Sequence, residues 1–448
     1  MLGRYRRITW STGLLLCSVF LIAVLLRYQY LQQTANDIHI AKDAEQYVNY
    51  GRNLAFHRTF SHQDDELPPI PDSFRSPGYP FFIALAMKIG GEFNYLKLVV
   101  YTQALLSAAL VPLTFFTGIF FLTIPAAISA ALLVAISPHL ITTAACLLTE
   151  TLFSFLLLFA ICFFQFALRN FSILLAGISA VLFGCAFLTN ETAFFLPFIF
   201  ILVLRWIGFF SIVQCPGKRK TLFIIFFLTI YLTLPISWWL RSYYNVPAGM
   251  PKGSDRAVVT MSHGAYPGFI YKDPNYWGVP YREDPQQPAF GSSVKNFSKI
   301  LWSRFKDEPL RYMAWYFVGK PYYLWNWNII QGSGDIYINP VKSDLFMESW
   351  IAAGVKKVMA LLHPLLLVLT FFSIPMVFIK IRIPRNIDCY LKNVSLLPLI
   401  VCIYFTIIYA IFAPWPRYSI PLRPELYLCA VWTLSIIAKY LGNKKDQS

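Results

Sequence analysis

The chain has 448 residues, of which 57% are hydrophobic and only 13% are charged, and its mean hydropathy is +0.54. These values exclude a water-soluble globular protein and indicate an integral membrane protein. The formal net charge of +16 does not indicate nucleic-acid binding. The basic residues cluster at the ends of apolar segments, where they set membrane topology and contact anionic lipid head groups.

Apolar runs long enough to cross about 30 Å of hydrocarbon recur along the whole chain. Such runs favour helices, because strands of a transmembrane barrel would alternate apolar and polar residues. We therefore predict an all-α polytopic membrane protein with about ten transmembrane helices. The first follows a basic flank like that of a signal peptide, but its long apolar run and missing cleavage site indicate a retained anchor. The predicted spans are 9–27, 95–117, 124–138, 148–167, 171–189, 193–210, 221–239, 355–379, 395–413 and 421–440.

The hydrophilic segments between the spans differ in charge. If the span count is right, all the basic segments lie on one side, which is therefore predicted to be cytoplasmic. The other side receives the first outer loop, 28–94, and a long loop rich in Trp and Tyr, whose aromatics fit an interfacial belt or stacking on sugars. The predicted units are a catalytic membrane module over 1–240, a long extracytoplasmic loop over 241–354, and C-terminal membrane helices over 355–448.

The first outer loop carries ionised side chains in a chain that otherwise avoids charge. Asp43, Tyr47 and Tyr50 lie at near-helical spacing, which predicts a short helix on the membrane surface. Glu45 lies two residues beyond Asp43, and Arg75 belongs to the later motif Arg-Ser-Pro-Gly-Tyr-Pro. Taken alone, these residues would fit an ordinary solvated loop.

Further ionisable residues fall on the same predicted face. Glu150 lies at the mouth of the fourth span, where a carboxylate is costly unless it is paired or functional, and Glu191 occupies the next outer turn. Arg417 lies between two prolines that break regular helix, so its guanidinium could face a phosphate. For Arg423, a functional role and a side chain that snorkels to the lipid head groups are equally good interpretations. Converging acids and cations could accept a proton from an attacking hydroxyl or amine and hold a departing phosphate.

Metal-ligand patterns are weak in this sequence. The cysteines are scattered, and neither a CxxC pair nor a Cys/His zinc spacing occurs. A divalent metal near Asp43, Glu45 and Glu150 is left open as an alternative, but no ligand pattern requires one. His57 and His62 with the acidic run 64–66 could also bind a metal, although a solvated loop is the simpler interpretation.

Several motifs follow one another in order. They are Asp43 with Tyr47, the 75–80 motif, Ser137-Pro138 leading to Leu-Leu-Thr-Glu at 147–150, then 184–189, Trp-Trp-Leu-Arg at 238–241, and Arg-Tyr-Ser-Ile-Pro at 417–421. In order and sidedness they resemble the GT-C membrane glycosyltransferases. Within the GT-C group, the motifs resemble most those of glycosyltransferase family 39, the branch related to protein O-mannosyltransferases and the lipid A aminoarabinose transferase. The resemblance covers about 9–240 and 355–440.

This resemblance implies an inverting enzyme that transfers a hexose or pentose from a polyprenyl-phosphate donor to an extracytoplasmic glycolipid or protein. The resemblance does not require a cofactor. It implies a multi-pass protein with its active site on the luminal or periplasmic side. The compact loops favour a bacterial inner membrane, in which the active site is periplasmic. The implied catalytic residues are Asp43 as general base and Glu150, the implied donor-phosphate ligands are Arg75, Arg417 and Lys42, and the candidate acceptor or sugar contacts are Glu45, Tyr47, Tyr79 and Glu191.

Two departures from the family pattern occur. Ala44 separates Asp43 from Glu45 where the mannosyltransferases have adjacent acids, and Asn190-Glu191 stand where related chains carry Arg-Pro. The competing hypothesis is a transporter or flippase of a lipid-linked saccharide, which should carry ionisable residues at the membrane midplane. Because the spans are nearly free of such charge, we favour the enzyme. A polymerase or ligase of another membrane fold is a third alternative, which the order of the motifs disfavours.

Overall fold

The computed structural model describes residues 9–33, 42–63, 68–208, 216–271, 280–327, 345–381 and 396–445. Within these ranges the chain is helical and contains no β-strand. The helices are α1 Trp10–Gln33, α2 Lys42–Arg52, α3 Gly78–Gly118, α4 Ile124–Ala135, α5 Pro138–Thr143, α6 Glu150–Asn170, α7 Ile173–Thr189, α8 Leu196–Trp206, α9 Gly217–Asn245, α10 Gly253–Gly264, α11 Gln287–Phe290, α12 Val294–Asp307, α13 Pro309–Ala314, α14 Lys320–Trp325, α15 Leu345–Glu348, α16 Trp350–Ile381, α17 Leu396–Ile411 and α18 Arg423–Lys445.

Each of the predicted spans coincides with one of these helices. Among the described residues, 6 helices are long and apolar enough to cross a membrane, and α4, α7 and α17 are shorter apolar helices. The prediction of an all-α polytopic membrane protein is confirmed. Short 3₁₀ or π segments connect or extend the helices at Asn53–His57, Glu191–Ala193, Pro267–Phe269, Pro280–Glu283, Trp315–Gly319 and Pro416–Leu422.

The first outer loop is shorter than the predicted range 28–94. Helix α1 continues to Gln33, and α3 already begins at Gly78. Helix α3 bends at Gly91, whose φ of 68° lies in the left-handed region that glycine adopts without steric strain. Polar residues around this bend interrupt the apolar pattern, which is why the sequence places the span start later. The short amphipathic helix predicted around Asp43 is α2.

The interior of the bundle is packed by aromatic and small side chains. Phe164 lies 4.8 Å from Phe227 and 5.8 Å from Phe200, measured between ring centroids. Ala130 and Ala131 of α4 are fully buried. Small residues let membrane helices approach closely, and in lipid this van der Waals packing, rather than exclusion of water, holds helices together.

Helix α4 stops at Ala135, and most of the chain from there to Glu150 is not regular helix. Backbone groups at membrane depth need partners when helical hydrogen bonds are lost. Arg27 of α1 supplies two, since it donates to the carbonyls of Ala135 at 3.0 Å and Val134 at 3.2 Å. Gln103 of α3 donates to the carbonyl of Ala144 at 2.9 Å. Polar side chains of other spans therefore fix the segment that leads to Glu150.

The structure differs from the expectation of spans nearly free of charge. Arg27, Arg423 and Glu425 are all fully buried. The guanidinium of Arg423 lies 3.1 Å from His363 Nδ1 and donates to Ser419 Oγ at 3.2 Å. Arg423 is therefore an interior residue and not a snorkelling anchor at the lipid boundary.

The described segments between α9 and α15, 246–271 and 280–327, pack against the end of the bundle at which α6 begins. Phe269 stacks on Trp415 with ring centroids 4.1 Å apart, and Trp315 Nε1 donates to the carbonyl of Gly264 at 2.8 Å. Asp284 is 2.5 Å from Arg304 and accepts a hydrogen bond from the Tyr266 hydroxyl at 2.6 Å. These contacts hold α10 beside the start of α6, where the candidate site lies.

Candidate active site

A cavity of about 650 Å³ lies between α2, the start of α6, the turn after α7, helices α10 and α17, and the segment before α18. This size suits a small-molecule site. One part of its wall is apolar and includes Phe194, Phe195 and Ile408. The ionisable side chains that line it include Asp43, Arg75, Glu150, Glu191, Arg256, His263, Arg282 and Arg417.

Asp43 occupies the first turn of α2 and is held by two arginines. Its Oδ1 is 2.6 Å from Arg75 Nη2, and its Oδ2 is 3.1 Å from Arg417 Nη2. Burial acts to raise the pKa of Asp43, but the charges of Arg417 and Arg75 outweigh it and lower the pKa to about 2. The carboxylate is therefore ionised at every physiological pH.

Arg75 is positioned by the loop before α3. Its Nε donates to Gln46 Oε1 at 2.9 Å, and its guanidinium carbon lies 5.1 Å from the Tyr47 ring centroid. Burial acts to lower the pKa of Arg75, but Tyr47 and Asp43 outweigh it and raise the pKa above its ordinary value. The guanidinium is thus permanently charged.

The Pro-Gly-Tyr-Pro part of the 75–80 motif has a packing role. A Cβ at Gly78 would lie 2.7 Å from Thr189 Oγ1 and 2.8 Å from the Leu188 carbonyl oxygen, so only glycine fits against the end of α7. The next residue, Tyr79, is fully buried, and its hydroxyl donates to Gln103 Oε1 at 2.7 Å. These contacts fix the start of α3 and with it the loop that carries Arg75.

Arg417 lies between two carboxylates. Besides its contact with Asp43, its Nε is 3.9 Å from Oε1 of Glu150, the first residue of α6. Only 5% of Glu150 is exposed. The Arg417 guanidinium also lies over the ring of Tyr418, 4.9 Å from its centroid, and Tyr418 stacks on Tyr409. The prolines of the sequence 416–421 belong to a 3₁₀ segment that turns the chain here.

A second ion pair lies across the cavity. Glu191 Oε2 is 3.2 Å from Arg256 Nη2, and Arg256 belongs to α10. His263, on the same helix, also lines the cavity, and its pKa is lowered to about 4 by burial and by the charge of Arg282. No sequence motif marks Arg256 and His263, because they reach the site only through the way the chain after α9 folds back.

The structure brings together six of the predicted site residues, namely Asp43, Tyr47, Arg75, Glu150, Glu191 and Arg417. Glu45 does not line the cavity, and its side chain is exposed. Tyr79 lies behind the cavity wall, with its ring 5.2 Å from that of Tyr47 between centroids. The backbone of Lys42 belongs to α2, but its side chain lies outside the described residues.

The acidic side chains at the cavity face arginines. Both oxygens of Asp43 already face guanidinium groups, and Arg417 also faces Glu150. Within the described ranges, no group of three His, Cys, Asp or Glu residues could hold a metal. His62 faces Asp72, with Nδ1 2.7 Å from Oδ2, while the acidic run 64–66 lies outside the described residues.

No protein-family model and no curated protein sequence matches the chain. Its structure is similar to the archaeal oligosaccharyltransferase AglB from Archaeoglobus fulgidus in complex with an inhibitory peptide and a dolichol-phosphate. That match has a TM-score of 0.52 and 12% identity over 98% of this chain and 51% of that chain. For the apo form of the Archaeoglobus fulgidus oligosaccharyltransferase, the TM-score is 0.52, with 12% identity over 99% of this chain and 52% of that chain.

A third similar structure is ArnT from Cupriavidus metallidurans bound to undecaprenyl phosphate. Its TM-score is 0.49, with 13% identity over 94% of this chain and 60% of that chain. The chain spans about half the length of the oligosaccharyltransferases it matches. At such low identity the similarity to them shows the fold, which is of the GT-C type.

Proposed function

We propose that this protein is a GT-C glycosyltransferase of the family 39 branch, transferring a sugar from a polyprenyl-phosphate donor to an acceptor outside the cytoplasm. The acceptor is a glycolipid or a protein. The observation that carries the proposal is the carboxylate of Asp43 held between Arg75 and Arg417 at a cavity with an apolar wall. The distribution of basic segments supports a site on the side away from the cytoplasm, and the proposed location is the periplasmic face of a bacterial inner membrane.

The charged part of the cavity suits the phosphate of the donor, and its apolar part suits the isoprenoid chain. Arg75 and Arg417 present guanidinium groups, which bind phosphate oxygens in pairs. The wall formed by Phe194, Phe195 and Ile408 suits an isoprenoid chain. A polyprenyl phosphate sugar could thus lie with its phosphate at the arginines and its tail toward the lipid.

The reaction is a single displacement at the anomeric carbon. A hydroxyl or amine of the acceptor forms the new bond, and the bond from the anomeric carbon to the phosphate oxygen breaks with inversion. The acceptor proton passes to Asp43. The electron pair leaves with the phosphate, whose added negative charge is neutralised by Arg75 and Arg417.

Donor binding also activates the base. With a pKa of about 2, Asp43 is a weak proton acceptor while both arginines face it. A phosphate competes with the Asp43 carboxylate for the same guanidinium groups, and the loss of these contacts raises the pKa of Asp43. Proton abstraction is therefore favoured only when the donor is present. Glu150, on the other side of Arg417, keeps this guanidinium in place and faces the acceptor.

Asp43→Asn tests the proposal. We expect turnover to fall by about 100-fold, because the proton acceptor is removed. The apparent KM for the donor should fall at the same time, because the carboxylate no longer competes with the phosphate for the arginines. Glu45→Gln is the matched control on the same helix, since its side chain is exposed, and should stay close to wild type.

Mass spectrometry of envelope glycolipids and glycoproteins, with and without the chain, identifies the product. The same measurement quantifies how much product each variant forms. Unchanged product formation by Asp43→Asn would contradict the assignment of the base. If no glycosidic product depends on the chain, but the leaflet distribution of a lipid-linked saccharide does, the protein is a transporter and the proposed function fails.

A further inference from the structure

The segment 309–327 presents a continuous apolar face that no described residue covers. It consists of α13, the π-helical segment Trp315–Gly319 and α14. Its inner face, with Trp315 and Leu324, is buried. Large apolar side chains at helical spacing are exposed on the other face: Leu310 80%, Met313 47%, Phe317 77%, Val318 68% and Tyr322 65%. Such a stripe in an aqueous loop would be unfavourable and marks an interaction surface.

Contacts with α17 show how deep this segment lies. Lys320 Nζ donates to the carbonyl oxygens of Ala410 at 2.8 Å and Phe412 at 3.1 Å, where α17 ends. Further along, Trp325 Nε1 donates to Thr406 Oγ1 at 2.9 Å. At 1.5 Å per residue, Thr406 lies roughly 7 Å from the end of α17. The segment therefore runs down beside this apolar helix.

The end of the segment also contacts α16 and α5. His363 Nε2 donates to the carbonyl oxygen of Trp325 at 2.6 Å, and the ring of Trp327 is 4.3 Å from that of His139. His363 lies roughly 20 Å from the start of α16 by the same helical rise. Trp325 also contacts Phe371 of α16. His363 and Phe371 belong to the apolar helix α16, and His139 belongs to α5, which follows the apolar helix α4.

We propose that residues 309–327 form a re-entrant membrane segment whose apolar stripe contacts the acyl chains of the surrounding bilayer. Helical hydrogen bonds satisfy most of its backbone, and His363 satisfies the carbonyl of Trp325 where the helix ends. Like the lipid-facing surfaces of the spans that it packs against, the exposed stripe consists of large apolar side chains. Basic side chains of the preceding helix, among them Lys299 and Lys306, suit the phosphate level where the segment enters.

This anchoring extends to the candidate site. Trp315 Nε1 donates to the carbonyl of Gly264 at 2.8 Å, at the end of α10. A Cβ at Gly264 would lie 2.3 Å from the carbonyl oxygen of Phe412, so α10 is in direct backbone contact with the end of α17. The re-entrant segment thus holds α10, with Arg256 and His263, at a fixed height above the lipid.

Photocrosslinking tests the segment in the full chain. p-Benzoylphenylalanine is introduced at Phe317 or Tyr322, where it replaces another aromatic residue, and the protein is placed in nanodiscs of phosphatidylethanolamine and phosphatidylglycerol. Ala289 is the control, because it is exposed in the same region next to the polar residues Gln286 and Ser292. After illumination, mass spectrometry of peptides identifies the adducts.

We expect acyl-chain adducts at 317 and 322 at a yield at least about ten times that at 289. Equal yields at the three positions, or the absence of lipid adducts at 317 and 322, would overturn the proposal. A crosslink from 317 to a second copy of the chain would also overturn it, because the stripe would then be a protein interface. Having two aromatic positions keeps the test decisive if one variant does not fold.

Discussion

At the scale of single residues, the site is built around competition for two guanidinium groups. Asp43 contacts both arginines, and Glu150 approaches one of them. The two acids and two arginines balance in formal charge, so the arginines stay paired and tolerate burial without a ligand. An arriving phosphate finds cations that are already in position, which reduces the cost of ordering them.

Arg417→Lys should weaken donor binding, although the positive charge is kept. A lysine has one ammonium group and cannot face Asp43 and Glu150 in the planar arrangement of a guanidinium. We expect kcat/KM for the donor to fall by roughly 10-fold, corresponding to the loss of one charged hydrogen bond, and further in Arg417→Ala. Arg311→Lys, at an exposed pair with Glu308, is the control. Full activity of both Arg417 variants would mean that this arginine only marks the membrane boundary.

The loop that carries Arg75 contains a titratable pair. Asp72 accepts hydrogen bonds from the Tyr50 hydroxyl and from the Phe74 backbone N–H, and it faces His62. The hydrogen bond to Asp72 raises the pKa of His62, against the effect of burial. The stability from this pair is therefore fully present below the unfolded pKa of histidine, about 6.5, and is lost as pH rises through the raised value.

His62→Gln should accordingly lower the Tm of the detergent-solubilised protein at pH 6, with a difference from wild type that shrinks at alkaline pH. The pKa of Asp72 is lowered, so its own contribution disappears only in acid, as pH falls through that lowered value. Thermal unfolding at a series of pH values measures this. A difference in Tm that is the same at pH 6 and pH 9 would show that the charge of His62 does not contribute.

At the scale of elements, the break between α4 and α5 depends on a residue of another helix. Arg27→Met keeps the length of the side chain but leaves the carbonyl of Ala135 without its side-chain donor, while the carbonyl of Val134 still accepts from the Ser137 backbone N–H at 3.4 Å. We expect a loss of about 1 to 3 kcal/mol in the free energy of unfolding, from one buried acceptor left unsatisfied. Arg205→Met, at an exposed arginine of α8, should change it little. Denaturant unfolding in detergent compares the two, and equal stabilities would contradict this role of Arg27.

Hydrophobic periodicity predicts the existence of the spans well, but not their breaks. Helix α3 carries Lys88, Gly90, Gly91 and Glu92 near its bend, and these residues interrupt the apolar signal within the helix. The predicted span therefore begins at 95, although the helix begins at Gly78. Likewise, residues 124–138 read as one span, although regular helix stops at Ala135. Whether a helix continues there depends on donors such as Arg27 and Gln103, which are distant in sequence. A single window of sequence contains no information about them.

The same distinction applies to the cavity. The acids and arginines near span ends could be predicted as a group, because charge beside lipid requires a reason. Arg256, His263 and Tyr281 could not, because they reach the cavity through aromatic contacts such as that of Phe269 with Trp415. The sequence therefore predicts the cavity-lining residues that lie at the ends of membrane spans. The prediction fails for residues positioned by long-range packing.

At the scale of the whole molecule, the proposed location of the site depends on which side each segment faces. Lys299 of α12 and Lys218 of α9 are both exposed. In intact cells with a permeabilised outer membrane, an impermeant maleimide should label Lys299→Cys and not Lys218→Cys. The unsubstituted chain is the control for its natural cysteines. Labelling of position 218 instead would place the candidate cavity on the cytoplasmic side.

The two contacts of Asp43 differ greatly in the length of chain between the partners. Asp43 and Arg75 are 32 positions apart, whereas Asp43 and Arg417 are 374 apart. At 5 to 20 residues per second, the ribosome needs roughly 20 to 75 s to extend the chain from Asp43 to Arg417. During biosynthesis the aspartate can therefore meet Arg75 long before Arg417 exists. A chain released before residue 417 would contain the carboxylate and one cation but could not complete the site, so the order of synthesis itself delays activity until the segment before α18 has been made.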